Sequence, residues 1–331
     1  MKKAYIYKGG FSIVKKSGVG KAMEHQQKML QHAAIPMAKS WKEASVIHIN
    51  TVLPDSFFAA KLAHRQGKKI IYYGHSTMED FKNSFKGSNF FAPLFKKWLC
   101  LCYKQGDIII TPTLYSKTIL QSYGIRKKIY ALTNGIDTEF FCRKPEYAAS
   151  FREKYHLTKE QKVVISIGHY IKRKGITDFL KIAKTMPEVT FIWFGATAEK
   201  LLTEEIKQAI AHLPANVILA GFVPSEEIRN ACCGADAFLF MSHEETEGIV
   251  VLEALACEVP VLLRDIPVYE SWLEDKKQVR KAKTLKQFRK QLSEILEQKP
   301  ESMIKEGRKL AISHNMDNSG RKLKRIYRQE F

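Results

Sequence analysis

The sequence predicts an α/β protein made of two doubly wound domains that face each other across a cleft and finish in helices. Three observations carry this. Short β-rich apolar segments alternate with amphipathic helical patterns along most of the chain. The rhythm breaks once, at the polar stretch Cys142-Arg143-Lys144-Pro145, and then restarts. The last stretch, about 284 to 329, has helical periodicity and no strand pattern.

Strand candidates in the first half are residues 4–7, 46–49, 69–73, 107–110 and 129–132. After the break they are 163–167, 190–194, 216–219, 237–240 and 260–263. Helical patterns over 175–185, 199–212 and 226–233 lie between the later ones. Such βα alternation requires parallel strands with helices on both faces. Two such sheets place their strand C-termini, where ligands bind in α/β folds, around one cleft. The expected division is a first domain over 1–145, a second over 146–305, and a basic C-terminal helix over 306–331 that returns toward the first.

At 331 residues, 45% hydrophobic and 27% charged, the chain can bury a sizeable core. The longest apolar runs, such as 108–110 and 249–252, are too short to span a bilayer. The basic start at 1–8 lacks the apolar stretch of a signal peptide, so a cytoplasmic protein is expected. Cys100, Cys102, Cys142, Cys232, Cys233 and Cys257 form no Cys-x-x-Cys pair and no zinc spacing, and read as buried free thiols.

The net charge of +20 is unevenly placed. Residues 1–145 hold 24 Lys/Arg against 8 Asp/Glu, a net of +16, whereas 146–304 are near neutral and 305–331 carry +5. An excess carried by one half and the tail implies a polyanionic surface, either nucleic acid or an anionic leaflet.

Residues 243–254, His-Glu-Glu-Thr-Glu-Gly-Ile-Val-Val-Leu-Glu-Ala, form the most specific segment. Gly248 supplies the backbone freedom for a tight turn, and a helix starting near Ile249 aims free amides and its positive end at the cleft, which suits a diphosphate. Glu253, one turn in, can accept both ribose hydroxyls. Glu245, on the loop, can hold sugar hydroxyls and offset positive charge at an anomeric carbon. This reading needs both carboxylates turned to the interdomain gap and free of internal ion pairs. Taken alone, acids in such a loop read first as favouring a helix N-terminus.

Glu245 and Glu253, eight apart around Gly248, resemble the Glu-x7-Glu signature of the retaining family-4 glycosyltransferases of the GT-B fold. The resemblance implies that Glu245 contacts the donor sugar, that the amides of Thr246, Glu247, Gly248 and Ile249 hold sugar and diphosphate, and that Glu253 binds ribose. Thr246 and Glu247 depart from the usual glycine and aromatic. Gly168-His169-Tyr170-Ile171-Lys172-Arg173-Lys174-Gly175 resembles the family's phosphate loop, with Arg173 and Lys174 as its cations and His169 in place of the usual Arg. Asn134-Gly135-Ile136-Asp137 resembles the element closing the first domain. Ser17-Gly18-Val19-Gly20 resembles the glycine-rich loop on the donor phosphates, and His75 the histidine that approaches the transferred sugar. The chain lacks an Asp-x-Asp pair, so no essential metal and no cofactor are expected.

Residues 78–105 interleave Phe81, Phe85, Phe90, Phe91, Phe95 and Trp98 with lysines. Phe91, Phe95, Lys96, Lys97 and Trp98 are candidates for an interfacial helix on an anionic leaflet, the competing reading being a core helix with a solvated back. The pattern over 16–22, 75–81, 83–89 and 245–253 is similar to bacterial enzymes that extend monohexosyl-diacylglycerol to dihexosyl-diacylglycerol. It implies UDP-glucose or UDP-galactose as donor, a glycolipid acceptor, an α-linkage, and a peripheral position on the inner face of the cell membrane. No protein partner and no nucleic acid are expected. A glycosyltransferase with a polysaccharide or soluble acceptor is the first alternative. A nucleic-acid-binding protein is the second, and would leave the Glu pair without a role.

Overall fold

A computed structural model describes residues 2–15 and 17–331. Met1 and Lys16, the latter opening the glycine-bearing segment above, lie outside the described residues. The first sheet has strands β1 (Ala4–Ile6), β2 (Val46–Ile49), β3 (Lys69–Tyr73), β4 (Ile108–Thr111) and β5 (Lys128–Ala131), all parallel and lying in chain order. From β2 to β5, right-handed crossovers that step the same way put their helices on one face. There Ala60, Ala63, Leu99, Cys102, Tyr103 and Leu120 pack on Ile47, Ile70 and Ile109. The opposite face is covered by the β1–β2 connection, which first pairs with β1 at Met37 on the side away from β2, and by the last helix of the described chain. Met23, Met29 and Leu30 of helix Gly18–His32 join Met316, Leu323, Ile326 and Tyr327 of helix Met316–Glu330 over Ala4, Ile71 and Ile108.

The second sheet contains β6 (Val163–Ile167), β7 (Thr190–Phe194), β8 (Val217–Gly221), β9 (Ala237–Phe240), β10 (Val261–Arg264) and β11 (Arg280–Ala282), in the order β11-β10-β9-β6-β7-β8. The order reverses between β6 and β9, so the loops leaving these two strands open the crevice where a doubly wound sheet takes its ligand. Strand β11 was not among the sequence candidates, because Arg280-Lys281-Ala282 has no apolar run and forms an edge strand only by pairing with β10. The helix expected over 199–212 is broken into a turn, Glu199–Leu201, and a helix, Glu204–Ala211, with Thr203 before it.

Helix Glu301–Ser313 stays with the second domain. Ala311 lies in that core, and Gly307 abuts Leu255 so closely that a Cβ would come within 2.7 Å of it. The chain crosses back at His314–Asn315, so a boundary at 305/306 falls inside a helix. The two crossing segments bond to each other: the Ile136 N–H donates to His314 O at 3.0 Å and the Met316 N–H to Ile136 O at 3.2 Å.

Candidate active site

The loop after β6 is shaped by its glycines. Gly175 has φ +77°, and a Cβ there would lie 2.2 Å from the Met241 carbonyl oxygen, so only glycine lets this loop lie against the end of β9. Gly168 leaves room for the Lys174 stem and the Trp193 ring, and Trp193 Nε1 donates to its carbonyl at 2.8 Å. The result is that Lys174 projects from the crevice edge of β6 toward the loop that follows β9. His169 does not project with it: its Nδ1 is 2.7 Å from the Ala196 carbonyl.

There Lys174 Nζ meets Glu245 Oε1 at 2.5 Å, with both side chains largely buried. Burial alone would raise the Glu245 pKa. The Lys174 and Arg173 charges outweigh it, so the carboxyl is held below its usual range and is ionised at neutral pH. Gly248, at φ +84°, turns the chain into helix Ile249–Ala256, whose start has no side-chain cap. Its amide end and dipole are therefore directed into the crevice.

Glu253 is fully buried in that helix and is ion-paired with Lys21. Among the described residues no hydrogen-bond donor otherwise reaches either oxygen. Burial raises its pKa, and the Lys21 charge opposes the rise. The requirement that Glu245 and Glu253 be free of internal ion pairs is thus not met. A carboxylate removed from water needs a counter-charge, and each has taken a lysine. Lys21 was not among the sequence candidates, since an isolated lysine in a basic domain carries no local signal. Gly18 and Gly20 also differ from expectation. They occupy the first turn of helix Gly18–His32 rather than a loop, and Gly20 is needed because a Cβ would lie 2.5 Å from the Val14 carbonyl oxygen.

Several expected donor ligands are instead spent on joining the domains. The Arg173 guanidinium pairs with Asp80 at 2.7 Å and donates to Ser84 Oγ at 3.1 Å and the Glu244 carbonyl at 2.8 Å. The Thr246 carbonyl accepts from Thr113 Oγ1 at 2.8 Å and Ser116 Oγ at 3.2 Å, at the capped start of helix Leu114–Ser122. Asn134 and Glu247 bond to each other, Asn134 Nδ2 donating to Glu247 Oε2 at 2.6 Å. Tyr115 donates to Glu244 Oε2 at 3.1 Å. The loop after β6, the Glu loop and the first domain are joined by contacts that local spacing does not reveal.

His75 is buried behind β3, stacked on Tyr73, with Nε2 3.0 Å from Asn50 Oδ1. Burial lowers its pKa to about 4, so the ring is neutral at physiological pH and can exchange hydrogen bonds but carries no charge.

On the outer face of the first domain, the expected interfacial helix spans Ser88–Tyr103. Phe95 and Trp98 turn inward: Phe95 stacks on Phe81 with centroids 4.1 Å apart, and Trp98 packs on Phe57 and donates to Val52 O at 2.6 Å. Lys96 lies over the Tyr123 ring, 4.5 Å from its centroid. Phe91 and Lys97 remain exposed, beside Phe90 (82% exposed) and Leu94 (65%). Phe58 and Leu62 are likewise exposed on helix Pro54–Arg65, which meets this helix through Phe57 and Trp98. No helix among the described residues is long and apolar enough to cross a membrane.

A doubly wound second domain with an uncapped helix start, paired acids and a lysine at its switch point, closed by a first domain of parallel strands, is the architecture of a GT-B transferase. Comparison with known proteins agrees. Residues 148–310 match the profile of the glycosyl transferases group 1 and residues 20–140 that of glycosyltransferase family 4. The chain is 39% identical over 329 residues to a processive diacylglycerol alpha-glucosyltransferase of Acholeplasma laidlawii, covering 99% of this chain and 98% of that one. It is 29% identical to an alpha-galactosylglucosyldiacylglycerol synthase of Streptococcus pneumoniae, over 70% of this chain and 63% of that protein. Among solved structures, Anabaena HepE in complex with UDP and glucose superposes with a TM-score of 0.81 at 16% identity, over 99% of both chains. The chain belongs to glycosyltransferase family 4 of the GT-B fold, and it is a hexosyltransferase.

Proposed function

We propose that this enzyme transfers glucose or galactose from a UDP-sugar, with retention, to a membrane glycolipid, monoglucosyl-diacylglycerol, giving an α-linked diglycosyl-diacylglycerol. The observation that carries the donor side is the Lys174–Glu245 pair beside the uncapped start of helix Ile249–Ala256. It brings a cation for the diphosphate and an ionised carboxylate for the hexose to the same edge of the sheet. The whole-length likeness to a diacylglycerol glucosyltransferase supports the lipid side.

In this reading the two buried ion pairs are the resting state of the donor site. The diphosphate takes the Lys174 ammonium and the helix amides, sugar hydroxyls take Glu245, and ribose takes Glu253. Lys174 exchanges one anionic partner for another, while each carboxylate exchanges an ammonium for neutral hydroxyl donors, so every buried charge keeps a hydrogen-bond partner. His75, uncharged, serves as a hydrogen-bond partner to the hexose rather than as an acid. The acceptor hydroxyl attacks the anomeric carbon on the face the diphosphate leaves, and a departing phosphate oxygen takes its proton. Developing positive charge on the sugar is offset by Glu245.

The acceptor is reached at an anionic leaflet, on which the first domain rests reversibly. The exposed Phe58, Leu62, Phe90, Phe91 and Leu94 enter the headgroup region, and the surplus lysines face the lipid charge. This also places the enzyme peripherally on the inner face of the cell membrane.

The test is incubation with UDP-glucose or UDP-galactose and vesicles of monoglucosyl-diacylglycerol in anionic phospholipid, with mass spectrometry of the lipids. A lipid gaining one hexose is expected, and Glu245→Gln should lower turnover by about 100-fold with folding intact. Glycosylation of only a soluble sugar or polysaccharide would replace the lipid reading. Hexose transfer to diacylglycerol itself, the activity named for the Acholeplasma relative, would move the acceptor one step earlier.

A further inference from the structure

Two helices are joined near their starts by one ion pair. Lys21 lies in the first turn of helix Gly18–His32, and Glu253 lies in the second turn of helix Ile249–Ala256. Neither helix start has a side-chain cap, and the two residues are ion-paired across the domain boundary. Two positive dipole ends with a lysine between them form a field that favours an anion larger than one carboxylate. A carboxylate offers about four acceptor sites, yet only the Lys21 ammonium meets the fully buried Glu253 among the described residues. Lys21 is lightly held in turn: its other neighbour is the face of the Phe141 ring, 5.0 Å from the centroid. The tight approach of Gly20 to the Val14 carbonyl sets where the lysine stem starts.

We propose that Lys21 is a donor-phosphate residue supplied by the first domain. At rest it neutralises Glu253. When a nucleoside diphosphate enters, the ribose hydroxyls take Glu253 and the Lys21 ammonium moves onto the diphosphate, opposite Lys174. Ribose recognition and domain closure are thereby coupled through one side chain, because Lys21 can follow the phosphates only if the first domain stays closed over the second. This rests on the nucleotide-sugar reading given above.

The test is calorimetric titration of the full chain with UDP and, by competition, with uridine, which has the ribose but no phosphate. Wild type, Lys21→Met, Lys21→Arg and the double variant Lys21→Met/Glu253→Gln are compared, with thermal melts alongside. Lys21→Met should weaken UDP by about 10-fold or more, the value of one charge-assisted hydrogen bond. It should leave uridine unchanged or tighter, because ribose no longer competes with an ammonium for Glu253. Lys21→Arg should keep most of the UDP affinity. The double variant has no bare buried carboxylate, so its low ratio of UDP to uridine affinity would exclude misfolding as the cause. An unchanged ratio in Lys21→Met, with wild type binding UDP, overturns this proposal alone. Failure of wild type to bind UDP overturns the donor reading itself.

Discussion

The Glu247 carboxylate of the second domain accepts the Asn134 backbone N–H at 3.2 Å and the Asn134 side-chain amide at 2.6 Å. The Glu loop therefore hangs from the segment that leaves the first domain's last strand, next to the point where the chain passes between domains. Together with Arg173–Asp80 and the Thr113 hydroxyl on the Thr246 carbonyl, it makes the Glu loop a shared element of both halves.

Burial lifts the Glu247 carboxyl from its ordinary 4.5 to about 7, against hydrogen bonds from Thr133 and Asn134 that act to lower it. A carboxyl with a higher pKa folded than unfolded binds more protons in the folded state, so stability falls as pH rises between those two values. Buried histidines such as His75, whose pKa is lowered to about 4, act in the opposite sense. The Glu247 contribution is therefore read as a difference: the stability of wild type relative to Glu247→Gln should fall from pH 5 to pH 7 by about 3 kcal/mol at most. Parallel curves would mean that Glu247 does not titrate there.

Arg173 is nine-tenths buried, so removing Asp80 leaves a guanidinium without its counter-charge. Asp80→Ala should cost about 3 kcal/mol in urea unfolding. In a double-mutant cycle with Arg173→Ala the two losses should fall well short of additive. Strict additivity would show that the pair contributes nothing.

Gly175→Ala places a Cβ at 2.2 Å from backbone, at a φ that L-residues rarely adopt. The loop must move, and Lys174 moves with it. UDP binding should weaken by about 10-fold or more even where the second domain still melts cooperatively. Affinity and midpoint both equal to wild type would remove the steric argument.

Phe90→Ser with Leu94→Ser should reduce sedimentation with both neutral and anionic vesicles, since these side chains supply apolar area. Lys96→Glu with Lys97→Glu should reduce it only for anionic vesicles, and increasingly little as salt is added. UDP binding should survive both. Loss of UDP binding in either would point to unfolding of the first domain instead.

Leu323 is fully buried where the terminal helix covers the first sheet. Leu323→Ala should cost about 3 kcal/mol, and hydrogen exchange should rise first in β1 and in helix Gly18–His32. A rise confined to the second domain would contradict the packing seen.

Much of the fold was legible because its signals are local. Each strand except β11 is built on a short apolar run, and Gly175 and Gly248 mark turns that favour glycine. The loops that carry Lys174 and Glu245 were legible as loops for the same reason, since each follows a buried strand directly. Helix Ser88–Tyr103 was legible in composition but not in orientation. Phe95 and Trp98 share a stripe with residues that pack on the sheet, and their neighbours Phe81, Phe57 and Val52 decided that they turn inward.

The amino-acid order alone determined two βα-alternating halves, a basic first domain, and a glycine-hinged acidic loop flanked by Glu245 and Glu253. The tertiary structure alone decided which charges meet: Lys21 with Glu253, Arg173 with Asp80, Asn134 with Glu247. The physical reason is range. A turn or a strand is specified by neighbours a few residues apart, whereas a buried charge takes whichever counter-charge the folded chain brings within a few ångströms.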